Sequence, residues 1–272
     1  MARIPDKLIE QATAVAQTSA HALRTSDGGT SPRDACMPEF ALGVVHEWIG
    51  AQITAADDAA WAAPHGVLLA LAWSMLHADD GAQGSDWGSH TCDAQRDPHH
   101  DGRVTVWIGR RIWPSPRALL ALDGSRALLA RSIFVDPTSD RAGGGGGRTA
   151  RSKQLWAVQQ SLACEGAMTV IWDASHFDLT ATRRTQLAAA REKQCAPVLA
   201  LAVRPWHERR TVSSAATRWI VTAHAPDASI EHARADRAPH WRAELVRARG
   251  ALGSRVGACA FVVRATWSWS GG

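Results

Sequence analysis

The chain has 272 residues, of which 46% are apolar, so it is long enough for one large or two small domains, and this composition excludes wholesale disorder. Five cysteines, odd in number and without a C-x-x-C pair, suit a reducing interior better than a disulfide framework. The net charge of +4 conceals a split: 5 Lys+Arg stand against 14 Asp+Glu up to residue 102, and 25 against 12 beyond it. Such a split marks either an anionic partner for the basic part or merely an arginine-rich composition, since only three of the 30 basic residues are lysine.

Residues 5–24 place Leu8, Ala12, Val15, Ser19 and Leu23 at helical spacing, and Ser/Gly/Pro-rich residues 25–38 read as a linker. An N-terminal helix and linker over 1–36 is therefore expected beside a main domain over 37–272. A β-branched run predicts a strand over 43–49, and a helix follows over about 64–77. Residues 78–102 are polar and turn-rich, as in a long surface insertion. Next come a strand over 103–109, a short helix over 116–122 and a strand over 132–136. The glycine run 143–147 reads as a flexible spacer within 142–149. "RSKQLWAVQQSLACEG" (151–166) carries Leu155, Val158 and Leu162 on one helical face, and "AMTVIWDAS" (167–175) is a strand ending in Asp173. A helix over 179–194 has Thr180 as its expected cap. Strands are expected over 197–204, 217–223, 243–249 and 258–266. Alternating strands and helices followed by strands alone imply an α/β fold, its central sheet mostly parallel, with antiparallel strands near the C-terminus. The longest apolar run, "GVLLALAWSML", has 11 residues where a membrane span needs about 20. The N-terminus lacks a secretory apolar core, so a cytoplasmic protein with no membrane association is expected.

Residues 41–73 have the outline of a nucleotide site, with a strand, a turn at Gly50 and an apolar helix from about Gly66. The glycine loop closing on lysine is missing. Fifteen residues separate the two glycines, they include Asp57 and Asp58, and the only lysines of the chain are Lys7, Lys153 and Lys193. A phosphate cradle needs a compact nest of backbone N–H groups and a cation. ATP hydrolysis is thus not expected, and neither is a cofactor. Without phosphates to share a Mg²⁺ ion, Asp173 reads as a strand-end residue capping the next loop. The cluster His90, Cys92, Asp93, Asp97, His99, His100 and Asp101 has the residue types of a zinc site but no standard spacing, so no metal is assigned.

Four stretches, "ALGVVHEWIG" (41–50), "DLTATRRTQLAA" (178–189), "SSAATRWIV" (213–221) and "WRAELVRARGA" (241–251), resemble segments of the ImuA family, RecA-related accessory proteins of bacterial mutagenic translesion synthesis. The resemblance covers about residues 37–252. It implies a RecA-like core that has lost its nucleotide chemistry and a non-catalytic role in SOS-linked DNA repair. The implied partners are an ImuB-like Y-family polymerase homologue and an error-prone replicative-type polymerase, with RecA a further candidate. Asp173 matches the Walker B aspartate of RecA, Arg110 lies near the place of its catalytic glutamate, and Arg247 and Arg249 fall where RecA has two lysines that reach a neighbour's nucleotide.

Candidate contacts to DNA or a partner are Arg183, Arg184, Arg218, Trp219, Arg247 and Arg249. A helix starting near Ala181 would put Arg183 and Arg184 in its first turn, against the macrodipole, so that Asp178 or an anionic partner must compensate them. Arg247 and Arg249 lie two apart on a strand and share a face. Thirteen tryptophans could stack on bases, although Trp107, Trp156, Trp172 and Trp219 sit in patterns that favour core packing, and Trp267 and Trp269 could anchor a partner. His46 and Glu47 are adjacent on a strand, point to opposite faces and cannot act as a couple. A divergent nucleotide-binding ATPase and a single-stranded DNA-binding module remain the alternatives.

Overall fold

The computed structural model describes residues 40–50, 62–81, 102–116, 119, 125–137, 147–190, 198–224, 240–249, 256 and 260–264. The expected N-terminal helix, the residues around Asp57 and Asp58, the His/Cys/Asp cluster and the terminal tryptophans lie outside them.

Eight strands form one sheet in the order β3-β2-β4-β5-β1-β6-β7-β8. They are β1 (Val45–Ile49), β2 (Val104–Ile108), β3 (Ser132–Val135), β4 (Ala167–Asp173), β5 (Leu199–Arg204), β6 (Thr217–His224), β7 (His240–Ala248) and β8 (Ala260–Arg264). Every pair from β3 across to β6 is parallel, and β6–β7 and β7–β8 are antiparallel. The α/β class, the mostly parallel sheet and the antiparallel C-terminal strands thus agree with the sequence. The physical reason is burial on both faces: every residue of β1 and β5 is buried, and so are all of β4 except Asp173. A strand covered on both sides must be an almost continuous apolar run.

Helices cover the two faces. On one lies α1 (His65–Gly81), which packs Val67, Leu68, Leu71 and Leu76 against Trp48, Trp107, Ile171 and Leu201, with Leu128 of α2 (Ser125–Ala130) in the same core. On the other lie α3 (Gly147–Leu162) and α4 (Leu179–Ala189), packing Val158, Leu162, Ala181 and Ala188 against Val106, Val170, Trp172 and Ala200. Because the chain leaves β1 towards one face and β4 towards the other, the carboxyl edge around β1, β5 and β4 is where such a sheet opens a crevice.

Several boundaries differ from expectation. Helix α1 runs through Gly81 and so takes the first residues of the expected insertion. Helix α3 begins at Gly147, which makes Gly147 to Thr149 helical and not spacer. The six-residue α2 was not anticipated. Asp178 and not Thr180 caps α4, its Oδ1 accepting the N–H of Ala181 at 2.8 Å.

Candidate functional site

At the carboxyl edge the strand ends crowd together. Gly109, just past β2, has φ 101°, and a Cβ there would lie 3.0 Å from Cβ of Asp173, so this left-handed, tightly packed position requires glycine. Asp173 is committed locally. Its Oδ1 accepts the N–H of Ser175 at 2.9 Å, and its backbone carbonyl accepts from Nε2 of Gln154. That is the loop-capping arrangement expected of a strand-end aspartate. Arg110 donates from Nε to Oδ2 of Asp136 at 2.5 Å, an ion pair between the ends of β2 and β3. His176 follows with φ 63° and donates its N–H to Oε1 of Glu208 at 2.7 Å.

Beneath this edge lies a cluster of buried charges. Glu47, fully buried at the centre of β1, faces Ala202 of β5 on one side and Arg218 of β6 on the other. The small Ala202 side chain leaves room for Arg204, two residues on and on the same face, to reach back: its Nε donates to Oε1 of Glu47 at 2.9 Å. Arg204 also donates to Oε2 of Glu208 at 2.6 Å and to the carbonyl of Phe177 at 2.8 Å. Arg218 donates from Nε to Oε2 of Glu47 at 2.8 Å and to the carbonyls of Arg209 and Thr211, both at 2.6 Å. On β7, Arg247 opposes Arg218 and lies 3.5 Å from the same Glu47 oxygen. Burial holds its pKa below the ordinary arginine value, reinforced by the Arg218 charge and opposed by Glu47. Three arginines thus share two carboxylates. Such a cluster holds only because nearly every donor meets a carboxylate or a backbone carbonyl.

The segment before β6 is clasped by these cations. Arg247 reaches the carbonyls of Ser213 and Ala215, at 3.2 and 3.4 Å, and Arg249 reaches that of Ser213 at 2.9 Å. From below, Thr182 Oγ1 on α4 accepts the N–H of Ser214 at 3.2 Å, and Gln186 Oε1 accepts that of Val45 at 3.0 Å. Residues of 41–50, 178–189, 213–221 and 241–249, far apart in the chain, are therefore linked by side-chain contacts, Glu47 joining β1 to β6 and β7 and α4 reaching Val45 and Ser214.

On the opposite face of β1 a second network is closed. His46 Nε2 pairs with the carbonyl of Ala41 at 2.9 Å, so that nitrogen carries the proton. The Nδ1 lone pair then accepts from Oγ1 of Thr217 at 2.7 Å, and that oxygen accepts from Nε1 of Trp219 at 2.9 Å. Burial pushes the His46 pKa down to about 4. His46 and Glu47 indeed serve opposite faces.

The contact candidates separate into two groups. Arg218 and Trp219, expected at a DNA or partner surface, are buried at 5% and 4% exposure, the first spent on Glu47 and the second stacked on Trp48 at 5.6 Å. Arg247 is half-buried, and Arg249 is exposed at the end of β7. Arg183 and Arg184 are exposed on α4. Since that helix starts at Leu179, both lie in its second turn, where opposition to the macrodipole has faded, and Asp178 pairs with Arg151 of α3 at 2.8 Å instead. Arg151, Leu155, Asp178, Thr180 and Arg184 line a cleft of about 230 Å³ between α3 and α4. Trp107, Trp172 and Trp219 are core residues, as their patterns favour, whereas Trp156 is 64% exposed. Sequence reasoning missed Arg204 and Glu208. The available signal was a charge interrupting an otherwise wholly buried strand pattern, in "VVHEWI" and in "LALAVR".

Among the described residues no group of three or more His, Cys, Asp or Glu could hold a metal ion, and no helix is long and apolar enough to cross a membrane. Fold and site together define an α/β protein whose mostly parallel sheet is pinned by a buried arginine–glutamate cluster beneath its carboxyl edge. No known protein-family model and no curated protein matches the chain.

Proposed function

We propose that this chain is a non-catalytic accessory of SOS-linked mutagenic translesion DNA synthesis, built on a RecA-like scaffold whose nucleotide site has degenerated. One observation carries the reading: the four stretches that resemble the ImuA family are joined by side-chain contacts, 41–50 to 213–221 and 241–251 through Glu47, and 178–189 to Val45 and Ser214. Convergence of separate segments on one structural unit supports a shared scaffold more than chance likeness of short motifs would. The mostly parallel sheet with its antiparallel end is compatible with a RecA-like core. At the carboxyl edge Asp173 Oδ1 accepts from Ser175 of its own loop and Arg110 pairs with Asp136. What remains for such a scaffold is to grip other macromolecules, here an ImuB-like polymerase homologue, an error-prone replicative-type polymerase and RecA.

Mixing the purified protein at micromolar concentration with RecA and with the ImuB-like partner, followed by size-exclusion chromatography, tests the proposal. Co-elution with either is the expected result, and separate elution from both counts against it. A titration with a fluorescent ATP analogue addresses the ATPase alternative. Mg²⁺-dependent binding abolished by Asp173→Ala would favour that alternative, and no saturable binding is expected.

A further inference from the structure

The outer strand of the sheet lacks the devices that usually protect such an edge. Strand β3 lies at one end of the strand order, with β2 its only partner among the described residues. Its four residues, Ser132–Val135, include no charge, no proline and no glycine, and its ladder with β2 runs without a bulge. Edges are normally blunted by such features, because a row of unpaired N–H and C=O groups invites another strand. The direction of those groups follows from the ladder. The carbonyls of Arg131 and Val135 accept from Thr105 and Gly109, so odd-numbered residues bond towards β2. Alternation then turns the N–H and C=O of Ser132 and Phe134 outward. Side chains alternate as well. Phe134 packs into the core under α1, whereas Ile133 shares the α3–α4 face with Val135 and stays 48% exposed there.

We infer that β3 pairs antiparallel with β3 of a second copy of this chain, extending the sheet across a two-fold axis at Ile133. An axis normal to the sheet keeps each face continuous, so residues that meet across it share a face and differ by an even number. Of such registers, the one centred on Ile133 sets Ser132 opposite Phe134 of the second copy, and the reverse. The outward groups of both strands are then satisfied together, in about four hydrogen bonds. Ile133 meets its own counterpart in a non-hydrogen-bonded pair, where Cα atoms stand about 4.5 Å apart and the exposed side chains cover each other. Charge agrees with the register. Arg131 lands opposite Val135 of the second copy, and the two Arg131 residues are offset by about 13 Å along the strands, so no like charges face each other. The edge also selects its own kind: it carries neither a charge nor a pocket with which to recognise a different sequence, whereas the two-fold needs only the strand itself. The inference stands on this edge and its register and does not depend on the translesion reading.

Sedimentation equilibrium of the purified full-length protein, from about 5 µM to about 500 µM, tests the pairing over a range suited to a small interface. A monomer–dimer equilibrium is expected. Ile133→Lys sets two cations face to face on the axis and should weaken it at least about tenfold, with unchanged far-UV circular dichroism. Ile133→Cys reads the register. Under mild oxidation it should give a disulfide joining the two copies at position 133, identified by peptide mass spectrometry, since a Cα separation of about 4.5 Å suits that bond. Val212→Cys, at another exposed apolar position, before β6, should not cross-link. The inference is overturned by a monomer at every concentration or by a dimer that Ile133→Lys leaves intact. It is also overturned if position 133 forms no cross-link, or if position 212 cross-links as readily. Failure here leaves the chromatographic test with RecA and the polymerase partner untouched, and the reverse also holds.

Discussion

His46 shows how much one ring can contribute when its two nitrogens are fully used. Its neutral form donates to Ala41 and accepts from Thr217, and a proton on Nδ1 would put a charge inside a buried site. The unfolded chain takes up that proton near pH 6.5, whereas the folded one does so only near pH 4. Between those values the unfolded state binds more protons, so stability is full above about pH 6.5 and declines as pH falls towards 4. At about 1.4 kcal/mol per pH unit the loss amounts to roughly 3 kcal/mol. His65, whose pKa is also lowered by burial, pulls in the same direction. Urea midpoints measured from pH 7.5 down to 4.5 should fall in the wild type and fall less steeply in His46→Gln; parallel curves would remove His46 from this account. Glu47 is the hub of the other network. In Glu47→Gln, Arg204 keeps Glu208 while Arg218 and Arg247 lose their carboxylate and keep backbone carbonyls, and a broken buried pair of this kind costs about 3–5 kcal/mol. Urea denaturation should show that loss, and a midpoint within experimental error of the wild type would refute it.

Elements meet with similarly little slack. A Cβ on Gly66, in the first turn of α1, would lie 2.1 Å from the Trp241 ring of β7, so the helix approaches the antiparallel end of the sheet only because that residue is glycine. Gly66→Ala should cost about 1–3 kcal/mol by overpacking. In a Trp241→Ala background the same change should cost little or stabilise the chain by about 0.5–1 kcal/mol, because alanine is the better helix former. A double-mutant cycle with no coupling between the two sites would exclude this contact. The elements themselves were largely legible, because strands buried on both faces are apolar runs and cannot hide in the sequence. Which face a residue takes within an element was also legible in principle. Leu155, Val158 and Leu162 define the inner stripe of α3, and at 100° per residue Trp156 lies about 130° from its centre. Treating it as core gave weight to residue type over angle, and the structure exposes it. The cap of α4 was harder, since Asp178 and Thr180 both qualify chemically and the Arg151 contact that accompanies Asp178 comes from another helix. A charge inside each of two apolar strands was legible, but the pairing of those charges was not. Glu47 meets Arg204 and Arg218 across 157 and 171 residues of chain, a pairing that only the strand order creates.

At the scale of the molecule that order has a consequence for how stability is distributed. Strand β1 lies between β5 and β6, so the centre of the sheet cannot close until the chain has been made through residue 220, and the Glu47 cluster locks those three strands together. Strand β3, by contrast, is an outer strand with no fully buried residue, and its Ile133 is 48% exposed. Elements with little burial open locally, at less than the global unfolding free energy. Native-state hydrogen exchange should therefore find the β1, β4 and β5 amides exchanging only through global unfolding, and the β3 amides exchanging earlier through local opening. Glu47→Gln supplies the discriminating comparison. It should reduce protection in β1, β5 and β6 by the full loss of global stability while leaving local opening of β3 unchanged. If β3 instead loses protection in step with β1, the sheet opens as one unit and the cluster does not act as a separate lock on its centre.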